Sequence, residues 1–196
     1  MSRPLNRLDR RAVVARLIAE RGDAIVVTGL GSPTYDVAAC GDHDRNVYLW
    51  GAMGGCAVMA LGIALARPDT PVIAITGDGE MLMGMGSFAT IAMQAPKNLT
   101  VVVLDNGLYG ETGGQASHSV VADLAAIAGA SGIADTRAID DMEAVSGLAL
   151  RATSVGNGPC VAVVKIDQAE RERVLPTRDG HAIRARVRQS LGLSID

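Results

Sequence analysis

The chain has 196 residues, 48% hydrophobic and 20% charged, with a formal net charge of −3. That length and balance suit one domain, spanning 1–196, with a sizeable core, and exclude a disordered chain. Mild acidity gives no electrostatic footing for nucleic acid or an anionic membrane surface. The cysteines at 40, 56 and 160 are odd in number and far apart, with no Cys-x-x-Cys pair. Neither a disulfide framework, a zinc ribbon nor a cysteine-ligated cluster is indicated. His43, His118 and His181 are scattered and read as surface or loop residues. The basic start MSRPLNRLDRR has no apolar stretch behind it, and Gly and polar residues break every long apolar run. We therefore expect no signal peptide, no transmembrane helix and a reduced, cytoplasmic setting.

Asp9 to Glu20 reads as a helix, with Asp9 as its cap and Val13, Val14, Leu17 and Ile18 as its apolar stripe. Ala24–Val27 reads as the first strand. It runs into Thr28-Gly29-Leu30-Gly31-Ser32-Pro33-Thr34, expected to be a strand-end loop. A dinucleotide fingerprint needs glycine where Thr34 stands, and no Walker lysine follows. The short apolar piece Val47–Trp50 leads into Gly51-Ala52-Met53-Gly54-Gly55. A helix over Cys56–Ala66 follows, built of small residues that permit close approach to another backbone, including one across a subunit interface. Val72–Ile75 and Leu99–Leu104 are short, β-branched and apolar, as buried parallel strands are. Met83–Gln94 between them is long enough for a crossover helix. The pattern is βαβ, and the expected fold is α/β: a doubly wound, mostly parallel sheet with helices on both faces.

Both central strands end in polar clusters, Gly77-Asp78-Gly79 and Asp105-Asn106-Gly107. Ligands of such sheets bind beyond the carboxyl ends of the strands. Asp78 offers a hard carboxylate and Asn106 an amide oxygen. Mg²⁺ takes near-octahedral oxygen ligation from one or two carboxylates plus phosphates. Gly77 and Gly79 would let backbone approach an anion, and the following helix would point N–H groups at it. The residues read as a diphosphate–Mg²⁺ site. The plainer alternative is two tight turns with Asp78 as a helix cap.

Gly-Asp-Gly, a spacer of this length, and Asn at the end of an apolar strand resemble the motif of thiamine diphosphate (ThDP) enzymes. Leu49-Trp50-Gly51-Ala52-Met53-Gly54 resembles their Gly-x-(bulky apolar)-Gly element. The resemblance implies that the Gly51 carbonyl accepts a hydrogen bond from the aminopyrimidine, and that Met53 wedges beneath the cofactor. These two are the expected catalytic contributors. The plainer alternative for Met53 is an ordinary core methionine filling a gap. The resemblance further implies metal ligands at Asp78, Asn106 and the Leu108 carbonyl. It implies cofactor contacts at Thr28, Gly29, Gly51, Ala52, Met53, Gly77, Asp78, Gly79, Glu80, Asn106, Leu108, Tyr109 and Gly110. Asn106-Gly107 with Gly113-Gly114-Gln115 looks most like phosphonopyruvate and sulfopyruvate decarboxylases. The likeness continues through a helix over Ala122–Ala128, a strand over Cys160–Ile166 and a tail from Leu175 to Leu191.

Three departures stand out. Asp105 replaces a second asparagine. Glu80 brings a carboxylate beside the expected diphosphate, unhelpful unless it points away. Ser32-Pro33-Thr34 stands where these decarboxylases often carry Ser-Arg-Glu. The arginines spread through Asp167–Asp196 read as a solvated helical face. The resemblance implies a subunit of a two-chain decarboxylase of a short 2-oxo acid, with ThDP and Mg²⁺ as cofactors. A pyrimidine-domain chain is the expected partner, in an oligomer. Helix Cys56–Ala66 and the loop Tyr109–Gln115 are the expected contact surfaces. Gln115, Ser117 and His118 are expected hydrogen-bond donors to substrate. A ThDP carboligase and a catalytically silent ThDP-binding subunit are the other readings.

Overall fold

Residues 7–195 are described by a computed structural model. The strands are β1 (Ile25–Thr28), β2 (Asn46–Tyr48), β3 (Val72–Gly77), β4 (Leu99–Asp105), β5 (Leu108–Tyr109), β6 (Gln115–Ala116), β7 (Asp135–Ile139) and β8 (Cys160–Lys165). The helices are α1 (Arg10–Ile18), α2 (Ser32–Ala39), α3 (Cys56–Ala66), α4 (Asp78–Met83), α5 (Ser87–Gln94), α6 (Leu124–Ala130), α7 (Met142–Ala152) and α8 (Gly180–Ser190). Six strands form one sheet in the order β2-β1-β3-β4-β8-β7, and every pairing is parallel. This is the α/β fold expected from the sequence.

The strands read as continuous apolar runs because both faces of the sheet are covered. Alternate residues feed opposite cores, as the two-residue repeat of a strand requires. Ile73 and Ile75 pack with Val13, Leu17, Val37, Val145, Leu148 and Ile183 on one side. Val72 and Ala74 pack with Ala57, Leu61, Phe88, Ile91 and Leu124 on the other. Helices α1, α2, α7 and α8 thus cover one face, and α3, α5 and α6 the other.

The chain leaves β1 toward β2 at one edge, while β3 sends it the opposite way, to β4. The crevice opens where those connections part, at the carboxyl ends of β1 and β3. There the Gly29 N–H donates to the Ile75 carbonyl across 2.9 Å, holding the two strand ends together.

Several expectations need correction. The loop expected through Thr34 gives way to α2 at Ser32, whose first turn holds Pro33. Proline suits that position because its missing N–H would have had no partner there. The single crossover helix over Met83–Gln94 is two short helices broken at Gly84–Gly86. The break has a packing cause: a Cβ on Gly84 would collide with the Gly54 carbonyl oxygen. Strand β7 and helix α7 were not foreseen. β7 is an edge strand carrying Asp135 and Arg137, so its apolar signal is weak. α7 is capped by Asp141, which accepts from the Ala144 N–H at 2.8 Å. No helix among the described residues is long and apolar enough to cross a membrane.

Candidate functional site

A cleft of about 80 Å³ opens at the carboxyl edge of the sheet. Its lining includes Gly77, Asp78, Gly79 and Glu80 from β3 and α4, and Asn106, Leu108, Tyr109 and Gly110 from beyond β4. Met53 lines it as well. Most of the residues singled out from the sequence therefore meet at one place. Thr28, Gly29, Gly51 and Ala52 do not line the cleft. Thr28 and Gly29 are buried, and Gly51 and Ala52 are exposed on the loop that carries Met53.

Asp78 is 2% exposed. Its Oδ2 accepts from Ser117 Oγ and, at 3.0 Å, from Ser119 Oγ. Burial is the main cause pushing its pKa up, and the nearby Asp105 adds to this; the two serine hydroxyls pull it back down. Neither serine bonds Oδ1. Asn106 Oδ1 accepts from the Leu108 N–H at 2.9 Å in a tight Asx turn. An amide oxygen has two lone pairs, so one remains for a cation. Among the described residues no group of three or more His, Cys, Asp or Glu could hold a metal by itself. The donor set of one carboxylate, one amide and backbone carbonyls fits a hard cation that completes its shell with phosphate oxygens.

The serines come from a hairpin that the sequence did not reveal. β5 and β6 pair antiparallel, and the Ser117 N–H closes the turn on the Gly107 carbonyl at 2.8 Å. The loop Tyr109–Gln115 therefore folds back, and Ser117 is turned onto Asp78 instead of facing a substrate. His118 Nδ1 meets the Tyr109 hydroxyl at 3.3 Å, with the rings edge to face.

Both misplaced-looking carboxylates have partners. Asp105 forms an ion pair with Lys165, its register neighbour on β8. Its other oxygen accepts from the Gly107 N–H at 3.0 Å and lies 2.8 Å from Ser119 Oγ, whose single proton the two carboxylates share. The charge that replaces an asparagine is thus neutralised within the fold. The Glu80 carboxylate accepts from Thr76 Oγ1 at 2.8 Å and the Cys56 N–H at 3.3 Å, the first turn of α3. Burial raises its pKa, against these hydrogen bonds. Gly29 is required here, since a Cβ would overlap Glu80 Oε2. Glu80, though it lines the cleft, has its carboxylate engaged by β3 and by the start of α3, packed against Gly29 after β1. The helix that begins at Asp78 has only 6 residues, so its dipole adds less than a full helix would.

The Gly51–Gly55 loop is set by contact with α4. Gly54 has φ of 88° and packs on the Met83–Gly84 backbone. Met53 is 36% exposed, which removes the core gap-filler alternative. Core Met→Ala changes cost ~2–5 kcal/mol. Met53→Ala is expected to shift the melting temperature of the chain by less than such a change, while lowering turnover of the assembled enzyme at least about tenfold. Thermal melting and steady-state kinetics on the same preparation check this. Loss of folding with full activity in the folded fraction would remove Met53 from the site.

Comparison with known proteins agrees with this geometry. The profile "Thiamine pyrophosphate enzyme, C-terminal TPP binding domain" matches residues 35–164. Phosphonopyruvate decarboxylase of Streptomyces viridochromogenes is 38% identical over 184 residues, 91% of this chain and 46% of that protein. The chain thus spans about half the length of that relative. Sulfopyruvate decarboxylase subunit beta of Methanothermobacter thermautotrophicus is 34% identical over 159 residues, 81% of this chain and 82% of that subunit. The crystal structure of a proposed thiamin diphosphate-dependent enzyme from Mycobacterium smegmatis superposes with a TM-score of 0.70 at 24% identity, over 83% of this chain and 32% of that one, a likeness of fold. The cleft between Gly77-Asp78-Gly79 and Asn106 lies inside the matched region, and the chain belongs to the thiamine pyrophosphate enzyme family, whose C-terminal TPP-binding domain it carries.

Proposed function

We propose that this chain is the diphosphate-binding half of a two-chain, ThDP-dependent decarboxylase of a short 2-oxo acid. The observation that carries the reading is the meeting of Asp78 and Asn106, from adjacent parallel strands, in one cleft with Gly77, Gly79 and Met53. Relatives named as decarboxylases of phosphonopyruvate and sulfopyruvate supply the reaction class. Asp78, Asn106 and the Leu108 carbonyl would hold Mg²⁺, and the Gly77–Gly79 backbone would lie along the diphosphate. Bound ThDP supplies an electron sink for loss of CO₂ from a 2-oxo acid. The chain's own task is to hold and orient: Asp78 supplies the anionic ligand, the Ser117–Ser119 hairpin fixes its carboxylate, and Met53 supports the reactive ring. The Gly51 carbonyl orients the aminopyrimidine.

A separate pyrimidine-domain chain is the proposed partner, since the relative matched across most of its length is itself a beta subunit. The exposed side chains Val58 and Met59 of α3, Met83 of α4, Met85 after it and Met93 of α5 offer apolar surface to that partner, Met83 beside the Gly51–Gly55 loop. Methionine suits such a surface because it adapts to the shape it meets.

The test is a panel on the reconstituted complex: pyruvate, sulfopyruvate, phosphonopyruvate, benzoylformate and branched 2-oxo acids, read as CO₂ release and product identity. Sulfopyruvate or phosphonopyruvate is expected to lead in kcat/KM by at least about tenfold, the scale of one good charge-assisted contact. Preference for benzoylformate or a branched acid would overturn the substrate class. A coupled acetolactate-type product would favour the carboligase reading. No turnover with bound ThDP would favour a silent subunit.

A further inference from the structure

The Ser32-Pro33-Thr34 turn carries no cation, yet the structure brings one to the same place from elsewhere. Arg10 lines the cleft together with Ser32, Asp78 and Asn106. It opens α1, the helix that leads into β1, so the first turn of α1 lies at the carboxyl edge of the parallel sheet. The Leu8 backbone fixes that turn: its N–H donates to the Lys165 carbonyl at 3.0 Å, and its carbonyl accepts from the Asp167 N–H at 2.8 Å.

Arg10 is 8% exposed. Its Nε lies 2.6 Å from Asp36 Oδ2, and its Nη1 donates to Ser32 Oγ at 2.8 Å. Neither contact uses Nη2. Arg11 also holds Asp36, with Nε 3.2 Å from Oδ1. Two guanidinium groups thus share one fully buried carboxylate, which leaves one positive charge in excess. Ser32 Oγ accepts from Arg10, so its own proton is available to donate. Glu111 lines the same cleft and opposes an anion. Arg173 and Arg178 lie outside that lining, 5.7 Å and 5.5 Å from the centroids of the Tyr35 and Trp50 rings.

We propose that Arg10, aided by the Ser32 hydroxyl, is the subsite for a second anionic group of the substrate, a sulfonate or phosphonate on the carbon chain. The assignment rests on the decarboxylase reading above. Arg10 suits the group that stays and not the carboxylate that leaves. An arginine bonded to the leaving carboxylate would stabilise the ground state and slow its loss. A guanidinium held by the Ser32 hydrogen bond at Nη1 and by the ion pair with Asp36 is also pre-organised, so little rotamer freedom is lost when an anion binds.

The experiment measures kcat/KM of the reconstituted complex for sulfopyruvate and for pyruvate, in wild type, Arg10→Gln and Arg10→Lys. Inhibition by 3-sulfopropionate against propionate gives a second ratio that needs no turnover. Arg10→Gln is expected to cut the preference for the sulfonate about 10- to 100-fold in both ratios, the range for a charged hydrogen bond. Arg10→Lys should keep part of it, because it keeps the charge and loses the fork. Should Arg10→Gln fold poorly, Arg10→Gln/Asp36→Asn removes the buried carboxylate with its partner and carries the same readout. Unchanged ratios, or equal losses on both members of each pair, overturn the subsite while the decarboxylase reading stands. A wild-type complex that binds ThDP and decarboxylates none of the acids overturns that reading itself.

Discussion

Asp78→Ala is expected to weaken ThDP–Mg²⁺ binding to the assembled enzyme by more than about 100-fold and to abolish turnover. Changes behind a metal's direct ligands already cost ~10–100-fold in affinity, and Asp78 and Asn106 line one cleft from the ends of adjacent strands. Glu80 cannot replace it, because its carboxylate is committed to Thr76 and the Cys56 N–H. Asp105 cannot either, being paired with Lys165. The unliganded chain should respond in the opposite sense. Burial holds the Asp78 pKa above its unfolded value. The charged form therefore costs folding free energy, fully above the folded pKa and not at all below the unfolded one. At neutral pH the melting temperature of Asp78→Ala without cofactor is expected to hold or rise. Calorimetry with ThDP and Mg²⁺, and melting without them, check the pair of effects. Wild-type cofactor affinity in the variant would remove Asp78 from the metal site.

What the sequence disclosed and what it hid divide along chain distance. Gly77-Asp78-Gly79 and Asn106 were legible because each closes a continuous apolar run, and a parallel strand with both faces covered must read that way. α3 was legible to the residue, Cys56–Ala66, since Gly55 and Arg67 bound an unbroken small and apolar stretch. The companions of Asp78 were not. Ser117 and Ser119 arrive through a hairpin whose strands, Leu108–Tyr109 and Gln115–Ala116, are too short to leave an alternating pattern. Lys165 meets Asp105 only through the β4–β8 register, which no local pattern encodes. Arg10 reaches the cleft from the first turn of α1, which the sequence offered only as a helix start. Glu80 shows the same limit from the other side. As a residue next to an expected diphosphate it looked misplaced, and only the packing of Gly29 and α3 around it explains its presence. The break at Gly84–Gly86 had a visible signal in its two glycines, but the reason for it, contact with Gly54, lies 30 residues earlier. Local chemistry was readable, and the neutralising and positioning partners were not.

The purified chain alone is expected to show no measurable decarboxylation, and to gain activity only with a pyrimidine-domain partner. The cleft of about 80 Å³ is well short of the ~300–1,000 Å³ that a cofactor-sized ligand occupies. On the function proposed above it would take the metal and the diphosphate end, and the rest of the cofactor would need walls from outside this fold. The loop that would carry the wedge stands open on one side, with Met53 36% exposed. Beside it Met83, whose backbone packs on Gly54, is 62% exposed, an apolar side chain left in solvent at the cleft's edge. A partner laid on this side of α4 would bury Met83 and close the cleft over the Gly51–Met53 loop in one step. Association and cofactor affinity should therefore be coupled, each raising the other by the same factor. Met83→Glu, outside the cleft lining, is expected to weaken association by placing a charge in that contact. It should lower activity at low protein concentration and recover it at high concentration. Sedimentation of the two chains with and without ThDP, alongside activity against partner concentration, measures all of this. Substantial turnover by the chain alone, or a Met83→Glu variant that associates as the wild type does, would show that this face is not where the site is completed.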